Sequence, residues 1–404
     1  MPFSEGESAG PLSHDDNWSP GVVQAVSPVG VTDLGPGYLE PALLPVDLLN
    51  TGYARAMERF GAAALSYGDN QGALELRTVL ASRVAITDGR NCGPEQVLLT
   101  AGTSHALHLI ATMLCEPGAV VFTDATCYDF GRQLLADSGL RVRAVAGDEC
   151  GMLPDALGEA VRAERAAGNR VGFVYLIPTF HNPTGLVVPE ARRRELLAVT
   201  TRHDVLVVED DAYAELGYDD PCPASLAAIA DYHGVIRLRT FSKTLAPGLR
   251  LGWLLAGKPV TDRLVRHGLF VSGGSANHVS SLAVLTMLRT GDYDKHLDWL
   301  RDRLRLRRNA LLDGLESLPG DEFHFTRPPG GFFVWLRALH GRTEAGLLEA
   351  AGKAAVAVAA GSRFGRTADP AVRLAFSFNS PERLRAAADQ FAGALVTTHQ
   401  KDWT

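Results

Sequence analysis

The sequence predicts an α/β protein, with a large domain built as a three-layer, mostly parallel sheet and a smaller α+β domain beside it. Three observations support this prediction. Strand-like apolar runs alternate with helical patterns from about residue 75 onwards. The strands are apolar throughout, which is typical of strands that helices cover on both faces. The chain has 404 residues, whereas single cores stop growing at roughly 250–300 residues, so two domains are expected.

The large domain is predicted from its run of alternating elements. The strand segments are short and rich in Val, Leu and Ile, and the helical segments between them are longer and amphipathic. In chain order they are a helix at 74–85, a strand at 96–102, a helix at 103–114, a strand at 120–125, helices at 130–139 and 153–168, a strand at 172–178, a helix at 189–203, and strands at 205–210, 235–243 and 250–257.

The pattern changes after about residue 278. A long charged helical segment leads into a smaller unit, whose predicted elements are a helix at 293–318, strands at 330–338 and 372–378, and a terminal helix at 381–399. The first thirty residues are rich in Ser, Gly, Pro and acidic residues and are expected to form a loose arm. The predicted organisation is an N-terminal arm and part of the small domain at 1–45, a large domain at 46–278, and a small C-terminal domain at 279–404.

The composition argues against several classes of protein. A net charge of −7 disfavours nucleic acid as the main partner, because phosphate binding requires a basic surface. The N-terminus lacks the pattern of a signal peptide, and no apolar stretch reaches the roughly 18–20 residues that cross a bilayer. The five cysteines show no CxxC pair and no zinc spacing, so reduced thiols and no metal site are expected. We therefore expect a cytoplasmic protein without a membrane partner.

Four short segments carry the polar residues that suggest chemistry. They are HNPTG at 181–185, EDDAY at 209–213, TFSKTLAPGLRLGW at 240–253 and VRLAFS at 372–377. Each follows or ends a predicted strand. Because open α/β sheets bind ligands at the carboxyl ends of their strands, we expect these segments to converge at one crevice.

Each polar side chain in these segments has an ordinary explanation when it is taken alone. Lys243 is either an amine able to attack a carbonyl or a surface lysine. Asp210 either pairs with a protonated pyridine nitrogen or caps the next helix. Asn182 either donates to a phenolic oxygen or only starts a turn. The groups around Lys243 resemble a phosphate cradle and belong to Thr240, Ser242 and Arg250. Their occurrence together, in this order, favours a functional site.

With these segments the sequence resembles the class I/II aminotransferases of pyridoxal-phosphate fold type I, from about residue 31 to residue 397. It is most similar to the branch that contains 2-aminoadipate aminotransferases and the effector domains of MocR-type regulators. The segments that carry the resemblance are DLGPGYLEPALLP (33–45), LSYGDNQGALELR (65–77), LLTAGTSHALHLI (98–110), IPTFHNPTGLVVP (177–189), VVEDDAYAEL (207–216), TFSKTLAPGLRLGW (240–253), SGGSANHVSS (272–281) and PPGGFFVWL (328–336).

The resemblance implies how pyridoxal phosphate is held. Lys243 would form an imine with the cofactor and then move protons on the substrate carbon. Asp210 would pair with the ring nitrogen, and Asn182 and Tyr213 would donate to the phenolate oxygen. Backbone amides at a helix N-terminus are suited to phosphate. The residues expected to hold the phosphate are Gly102, Thr103, Ser104, Thr240, Ser242 and Arg250, together with Tyr67 of a partner subunit.

The resemblance also implies where the substrate binds. Arg373 would clamp the α-carboxylate bidentately, and Gly35 or Gly37 would line it, with Asn182 beside it. The alternative for Arg373 is an arginine at a strand edge on the surface, which its apolar strand disfavours. No clear second arginine accounts for a distal carboxylate, and Arg363 is the one candidate.

The chain departs from the family pattern near the cofactor ring. The stacking aromatic falls where this chain has Cys127 and Tyr128, and Tyr128 is favoured because an aromatic face is needed to stack. His105 replaces a glutamine and is expected to pack. Thr240 keeps the hydroxyl of the commoner serine, and His181 stands where glutamine is frequent.

The expected reaction is transfer of an amino group between an amino acid and a 2-oxo acid, in a homodimer with shared active sites. The alternative is a biosynthetic enzyme that uses the same cofactor for elimination, replacement or cyclisation, because fold does not fix the reaction. A MocR-type regulator is less favoured, since only about thirty unpatterned residues precede the match.

Overall fold

The computed structural model describes residues 27–219, 221–325 and 327–399, so most of the predicted arm at 1–30 lies outside the described residues. The helices are α1 Val46–Phe60, α2 Leu74–Asp88, α3 Thr103–Leu114, α4 Asp129–Asp137, α5 Pro154–Ala166, α6 Glu190–Arg202, α7 Leu226–Ile229, α8 Lys258–Val265, α9 Gly268–Gly273, α10 His278–Thr290, α11 Asp292–Leu315, α12 Glu344–Lys353 and α13 Pro381–His399. The strands are β1 Thr32–Asp33, β2 Val97–Thr100, β3 Val120–Asp124, β4 Arg141–Val145, β5 Gly147–Asp148, β6 Gly151–Met152, β7 Val171–Leu176, β8 Leu206–Asp210, β9 Val235–Thr240, β10 Gly252–Leu255, β11 Phe323–His324, β12 Phe333–Ala338, β13 Val356–Ala357, β14 Ala359–Ala360 and β15 Ala371–Ala375.

The large domain is organised around a seven-stranded sheet in the order β2-β10-β9-β8-β7-β3-β4. Every pair is parallel except the two that involve β10, which runs antiparallel to both β2 and β9. The strands β2, β9 and β10 are buried at every position, and separate apolar clusters pack on the two faces of the sheet. The predicted α/β class, with a three-layer and mostly parallel sheet, is confirmed.

The carboxyl ends of β2, β3, β7, β8 and β9 share one edge of this sheet. This follows from the pairing, since β10 runs against both of its neighbours and thereby gives β2 and β9 the same direction. The segment at 372–377 includes β15 and lies outside this sheet. The other three predicted polar segments, at 181–185, 209–213 and 240–253, overlap or shortly follow the ends of β7, β8 and β9. The topology therefore places them at the edge where open α/β sheets bind ligands.

The small domain contains an antiparallel sheet in the order β11-β12-β15-β14, packed against α12, α13 and the second half of α11. The N-terminal segment joins this unit, because β1 pairs with β13 and Leu34 lies in the small core. The predicted boundary at 278/279 differs from the packing. Helix α10 and the first half of α11, as far as Leu304, pack in the large core. From Leu311 onwards the buried residues of α11 pack in the small core. None of the described helices combines the length and the apolarity needed to cross a membrane.

Candidate active site

Lys243 lies at the centre of the predicted crevice, three residues after β9 ends. Its Nζ donates a hydrogen bond of 2.8 Å to the carbonyl oxygen of Gly37 and lies 5.6 Å from the ring centroid of Tyr213. Burial, together with the positive charge of Arg373, lowers the pKa of this amine to about 8, while Asp210 opposes the shift. An amine with this pKa is partly neutral near neutral pH, as a nucleophile or a base must be.

Asp210 is the last residue of β8, and its carboxylate is buried. Oδ2 accepts a hydrogen bond of 2.7 Å from the hydroxyl of Tyr175, while Oδ1 is buried without a hydrogen-bond partner among the described residues. Burial raises the pKa of this carboxyl to about 6. A buried carboxylate oxygen without a donor is costly, so this site is suited to a cation or an N–H group.

Asp211, which neighbours Asp210 in sequence, belongs to a different site. Its Oδ2 accepts a hydrogen bond of 2.7 Å from Nε of Arg237, whose Nη1 also contacts Asp88 at 3.1 Å. Asp211 and Arg237 line a cavity of about 670 Å³ that includes neither Asp210 nor Lys243. Successive side chains of a strand point to opposite faces, which explains why the two aspartates separate.

Arg373 is in β15 of the small domain and reaches the same crevice. Its Nη1 donates to Oδ1 of Asn182 at 2.8 Å, and its Nη2 donates to the carbonyl oxygen of Gly35 at 2.6 Å. The guanidinium carbon lies between two rings, 4.2 Å from the centroid of Phe333 and 4.7 Å from that of Phe364. Burial lowers the pKa of Arg373 to about 10. The predicted substrate residues are thus brought together, whereas the two flanking phenylalanines were not predicted.

Several of the residues predicted to hold the phosphate lie where α3 begins. Gly102 precedes Thr103 and Ser104 with a φ of +87°, and a Cβ there would come within 2.9 Å of Nη2 of Arg250. Nη2 of Arg250 also donates to the carbonyl oxygen of Ala101 at 3.0 Å. The free N–H groups of the first turn of α3 and this guanidinium therefore face the same space.

Two further hydroxyls predicted to hold the phosphate lie at the end of β9 and just after it. The side-chain oxygens of Thr240 and Ser242 are 2.9 Å apart and both buried. The backbone N–H of Ser242 also donates to Oγ1 of Thr240 at 3.1 Å. The loop that carries Lys243 is therefore held by its own hydroxyls.

Two tyrosines approach the crevice from different elements. Tyr213 is buried, with edge-to-face contacts to Phe332 and Phe333 at 5.2 Å and 5.8 Å, and burial raises its pKa above the usual range. Tyr128 is half-buried, and burial together with the negative charge of Asp210 raises its pKa to about 12. Cys127 is buried in an apolar cluster and is accounted for by packing. Tyr128 therefore stays the predicted stacking residue.

The two histidines of the altered segments are held by local hydrogen bonds. Nδ1 of His105 accepts a bond of 3.0 Å from the N–H of Ala101, which agrees with a packing role. His181 is buried, with Nδ1 2.8 Å from the hydroxyl of Thr184 and Nε2 3.8 Å from Asp124. Burial lowers the pKa of His181 to about 4 and raises that of Asp124 to about 7.

Tyr67 stands apart from the other predicted residues. Its side chain is 84% exposed and lies along the segment 272–278, where a Cβ on Gly273 would be 3.7 Å from its ring. The two segments are joined by a hydrogen bond of 3.1 Å from the N–H of Ser275 to the carbonyl oxygen of Asp69. The structure thus brings Tyr67 to the 272–278 segment and leaves its ring at the surface.

The chain is similar to proteins of known sequence and structure, and each match covers most of its length. The model of the family "aminotransferase class I and II" matches residues 54–391. The 2-aminoadipate transaminase of Thermus thermophilus is 33% identical over 83% of this chain and 82% of its own length. A structure of kynurenine aminotransferase from Pyrococcus horikoshii superposes with a TM-score of 0.83 at 28% identity, over 91% of both chains. The uncharacterized HTH-type transcriptional regulator YisV of Bacillus subtilis is 31% identical over 78% of this chain, which spans 64% of that protein's length.

Proposed function

The chain belongs to the class I and II aminotransferases, and on that premise we propose that it moves an amino group between an amino acid and a 2-oxo acid with pyridoxal phosphate as cofactor. The observation that carries the proposal is the convergence of three groups in one crevice. These are the Lys243 amine, the Arg373 guanidinium and Oδ1 of Asp210, which has no hydrogen-bond partner in the part of the chain that the structure describes.

The residues in this crevice fit the cofactor. Oδ1 of Asp210 is a buried acceptor that none of the described residues donates to, as a protonated ring nitrogen requires. Asn182 and Tyr213 would donate to the phenolate oxygen, and Tyr128 would cover the ring. The N-terminus of α3 and the side chains of Thr240, Ser242 and Arg250 would hold the phosphate, as described above. When it is bound, pyridoxal phosphate withdraws electrons from the substrate and makes the α-proton removable.

The residues of the chain then have separate tasks in the reaction. Arg373 would bind the α-carboxylate with its Nη groups, which now contact Asn182 and Gly35 and would exchange those contacts for the substrate. Lys243, with a pKa of about 8, would remove the α-proton as a base and return it as an acid. The rings of Phe333 and Phe364 keep water from the guanidinium, which strengthens its interaction with a carboxylate.

Isotope tracing distinguishes this reaction from the alternatives that use the same cofactor. The holoenzyme is incubated with ¹⁵N-labelled amino acids and a set of 2-oxo acids, and the products are identified by mass spectrometry. Amino transfer places the ¹⁵N in a new amino acid and releases the 2-oxo acid of the donor. Free ¹⁵N-ammonia, or loss of a side-chain substituent, would refute amino transfer and indicate elimination or replacement.

Gly102 offers a test of the phosphate cradle. Gly102→Ala should weaken pyridoxal phosphate binding about tenfold or more, because the residue has a φ of +87° and its new Cβ would press on Arg250. The dissociation constant is measured by titrating the apoprotein and following its fluorescence. Gly393→Ala is the control, since Gly393 lies in α13 with open space around it and should bind the cofactor normally. Unchanged affinity in a folded Gly102→Ala protein would contradict the proposed cradle.

We also propose a homodimer in which Tyr67 completes the partner's site. Large apolar side chains are exposed on two segments that contact each other, Leu65 and Tyr67 on one and Leu269 and Val271 on the other, at 57–84% exposure. Large apolar side chains exposed on neighbouring segments support the proposal that these segments lie in an interface. Symmetric homodimers are the commonest oligomers. A cytoplasmic location remains part of the proposal.

Subunit mixing tests the shared site. Tyr67→Phe and Lys243→Ala proteins should each be weakly active, and mixing them should restore up to one intact site per heterodimer. Activity is assayed after the two proteins have been mixed and allowed to exchange subunits. Mixing Lys243→Ala with Asp210→Asn is the control, because both residues belong to the same chain's site and no intact site can form. A fully active monomer in sedimentation would disprove the proposal.

A further inference from the structure

A charged pair adjoins the crevice and has no part in the proposed reaction. Asp129 is the first residue of α4, and its Oδ2 forms an ion pair with Nε of Arg363, in the turn at 361–364 of the small domain. The side chain of Asp129 is 13% exposed and that of Arg363 is 33% exposed. The guanidinium carbon of Arg363 also lies 5.0 Å from the ring centroid of Phe130.

The pair lies close to the predicted position of the α-carboxylate. The guanidinium carbons of Arg363 and Arg373 are 5.9 Å and 4.7 Å from the centroid of the same ring, that of Phe364, and are therefore less than about 11 Å apart. A carboxyl carbon lies about 4 Å from the guanidinium carbon that binds it. An amino acid held at Arg373 could therefore extend its side chain as far as Arg363.

Arg363 is neutralised but keeps free donors. Within its guanidinium group, only Nε donates a hydrogen bond to another described residue, with Asp129 as the acceptor. Nη1 and Nη2 are thus able to donate to an uncharged acceptor such as an amide or carbonyl oxygen. A carboxylate at the same place would be repelled by Asp129, because like charges at short range in a partly buried site oppose each other.

The ion pair is not needed to dock the two segments. The N–H of Cys127 donates to the carbonyl oxygen of Phe364 at 2.8 Å, and Nη2 of Arg132 donates to the carbonyl oxygen of Arg363 at 2.9 Å. Neither contact involves the carboxylate of Asp129. Removing that carboxylate should leave the turn at 361–364 in place.

We propose that the Asp129–Arg363 pair determines the class of substrate side chain, admitting uncharged hydrogen-bond acceptors and rejecting carboxylates. This inference rests on the proposed function, because it assumes that the α-carboxylate binds Arg373. The site should therefore prefer glutamine-like over glutamate-like donors. Loss of the Asp129 charge should free Arg363 for a distal carboxylate.

The test compares two donors of the same size, L-glutamate and L-glutamine, on the holoenzyme. Asp129→Asn should raise the ratio of kcat/KM for glutamate to that for glutamine at least tenfold. Arg363→Gln leaves Asp129 without its cation and should lower the same ratio. Asp262→Asn is the control, since Asp262 forms an exposed ion pair with Lys258 in α8 and should not change the ratio.

A binding measurement separates this inference from the proposed reaction. The dissociation constants of glutarate and of its monoamide, neither of which can donate an amino group, are measured by calorimetry on the same holoproteins. Asp129→Asn should shift the binding preference at least tenfold towards glutarate. If both ratios stay unchanged in Asp129→Asn, or if all donors and both ligands weaken equally, the pair only joins the domains and the inference is wrong. If the ligand preference shifts while no ¹⁵N is transferred, the proposed function fails and the inference stands.

Discussion

Replacing Lys243 with alanine should abolish covalent attachment of pyridoxal phosphate and lower kcat by roughly 10³-fold or more. The Nζ of Lys243 is directed into the crevice, where burial and Arg373 lower its pKa to about 8. A methyl group can neither attack the cofactor carbonyl nor move a proton. The absorbance of the lysine-bound cofactor in the near-visible range and the steady-state rate with the best donor are the two measurements.

The other lysines make the assignment easy to check. The chain has five, and the remaining four are Lys258, Lys295, Lys353 and Lys401. Those at 258, 295 and 353 are more than half exposed and paired with acidic residues on their own helices, and none of them faces the crevice residues described above. Lys258→Ala is the matched control and should keep full absorbance and rate. If borohydride reduction attaches the pyridoxyl group to a lysine other than Lys243, the assignment is wrong.

The elements that hold the site were predictable because their sequence patterns are local. Helix α3 begins and ends at the predicted residues, and β8 ends at Asp210 as expected. The direction of strand β10 could also have been inferred from the sequence. A parallel neighbour of β9 needs a crossover of a dozen or more residues, usually with a helix, and the segment 241–251 is too short. The antiparallel direction of β10 follows from that length.

The hydrogen bonds and ring contacts made by the charged residues of the site were not predictable from local patterns. Tyr175 appears in the sequence as one more apolar residue of β7, yet its hydroxyl donates to Asp210. The register pairs Tyr175 with Val208, which places Tyr175 and Asp210 on the same face of neighbouring strands, and only the folded sheet fixes that register. The rings of Phe333 and Phe364 meet Arg373 from a strand and a turn that are distant in the sequence.

The packing around the predicted boundary at 278/279 was not predictable for a related reason. Helix α10 was not among the predicted elements, although the segment 272–281 is one of those that carry the family resemblance. Asn277 takes a left-handed φ of 60° directly before the helix, and α10 then packs along α1 in the large core. Tertiary packing of this kind stabilises helices that propensity alone does not identify. The proposed selection among substrate side chains likewise depends on the pairing of Asp129 with Arg363, two residues more than two hundred positions apart in the sequence.

Asp210→Asn should lower kcat by orders of magnitude while the fold is kept. The carboxylate supplies the negative charge that would keep the cofactor ring nitrogen protonated, and a neutral amide cannot replace that charge. In the cofactor-free protein, burial raises the pKa of Asp210 to about 6, so its ionised form opposes folding above that pH. The thermal midpoint of apo Asp210→Asn at pH 7.5 should therefore be no lower than that of the wild type.

Asp211→Asn is the matched control for the same chemical change one residue away. Asp211 binds Arg237 on the other face of the sheet, so its loss should lower the free energy of unfolding and leave the turnover of folded, cofactor-loaded protein nearly unchanged. The two variants are compared by thermal unfolding and by single-turnover rates of α-proton exchange in deuterated water. Slow exchange in Asp210→Asn with normal exchange in Asp211→Asn would support the assignment. Near wild-type exchange in Asp210→Asn, combined with a collapse in Asp211→Asn, would transfer the role to Asp211 and contradict the geometry of the crevice.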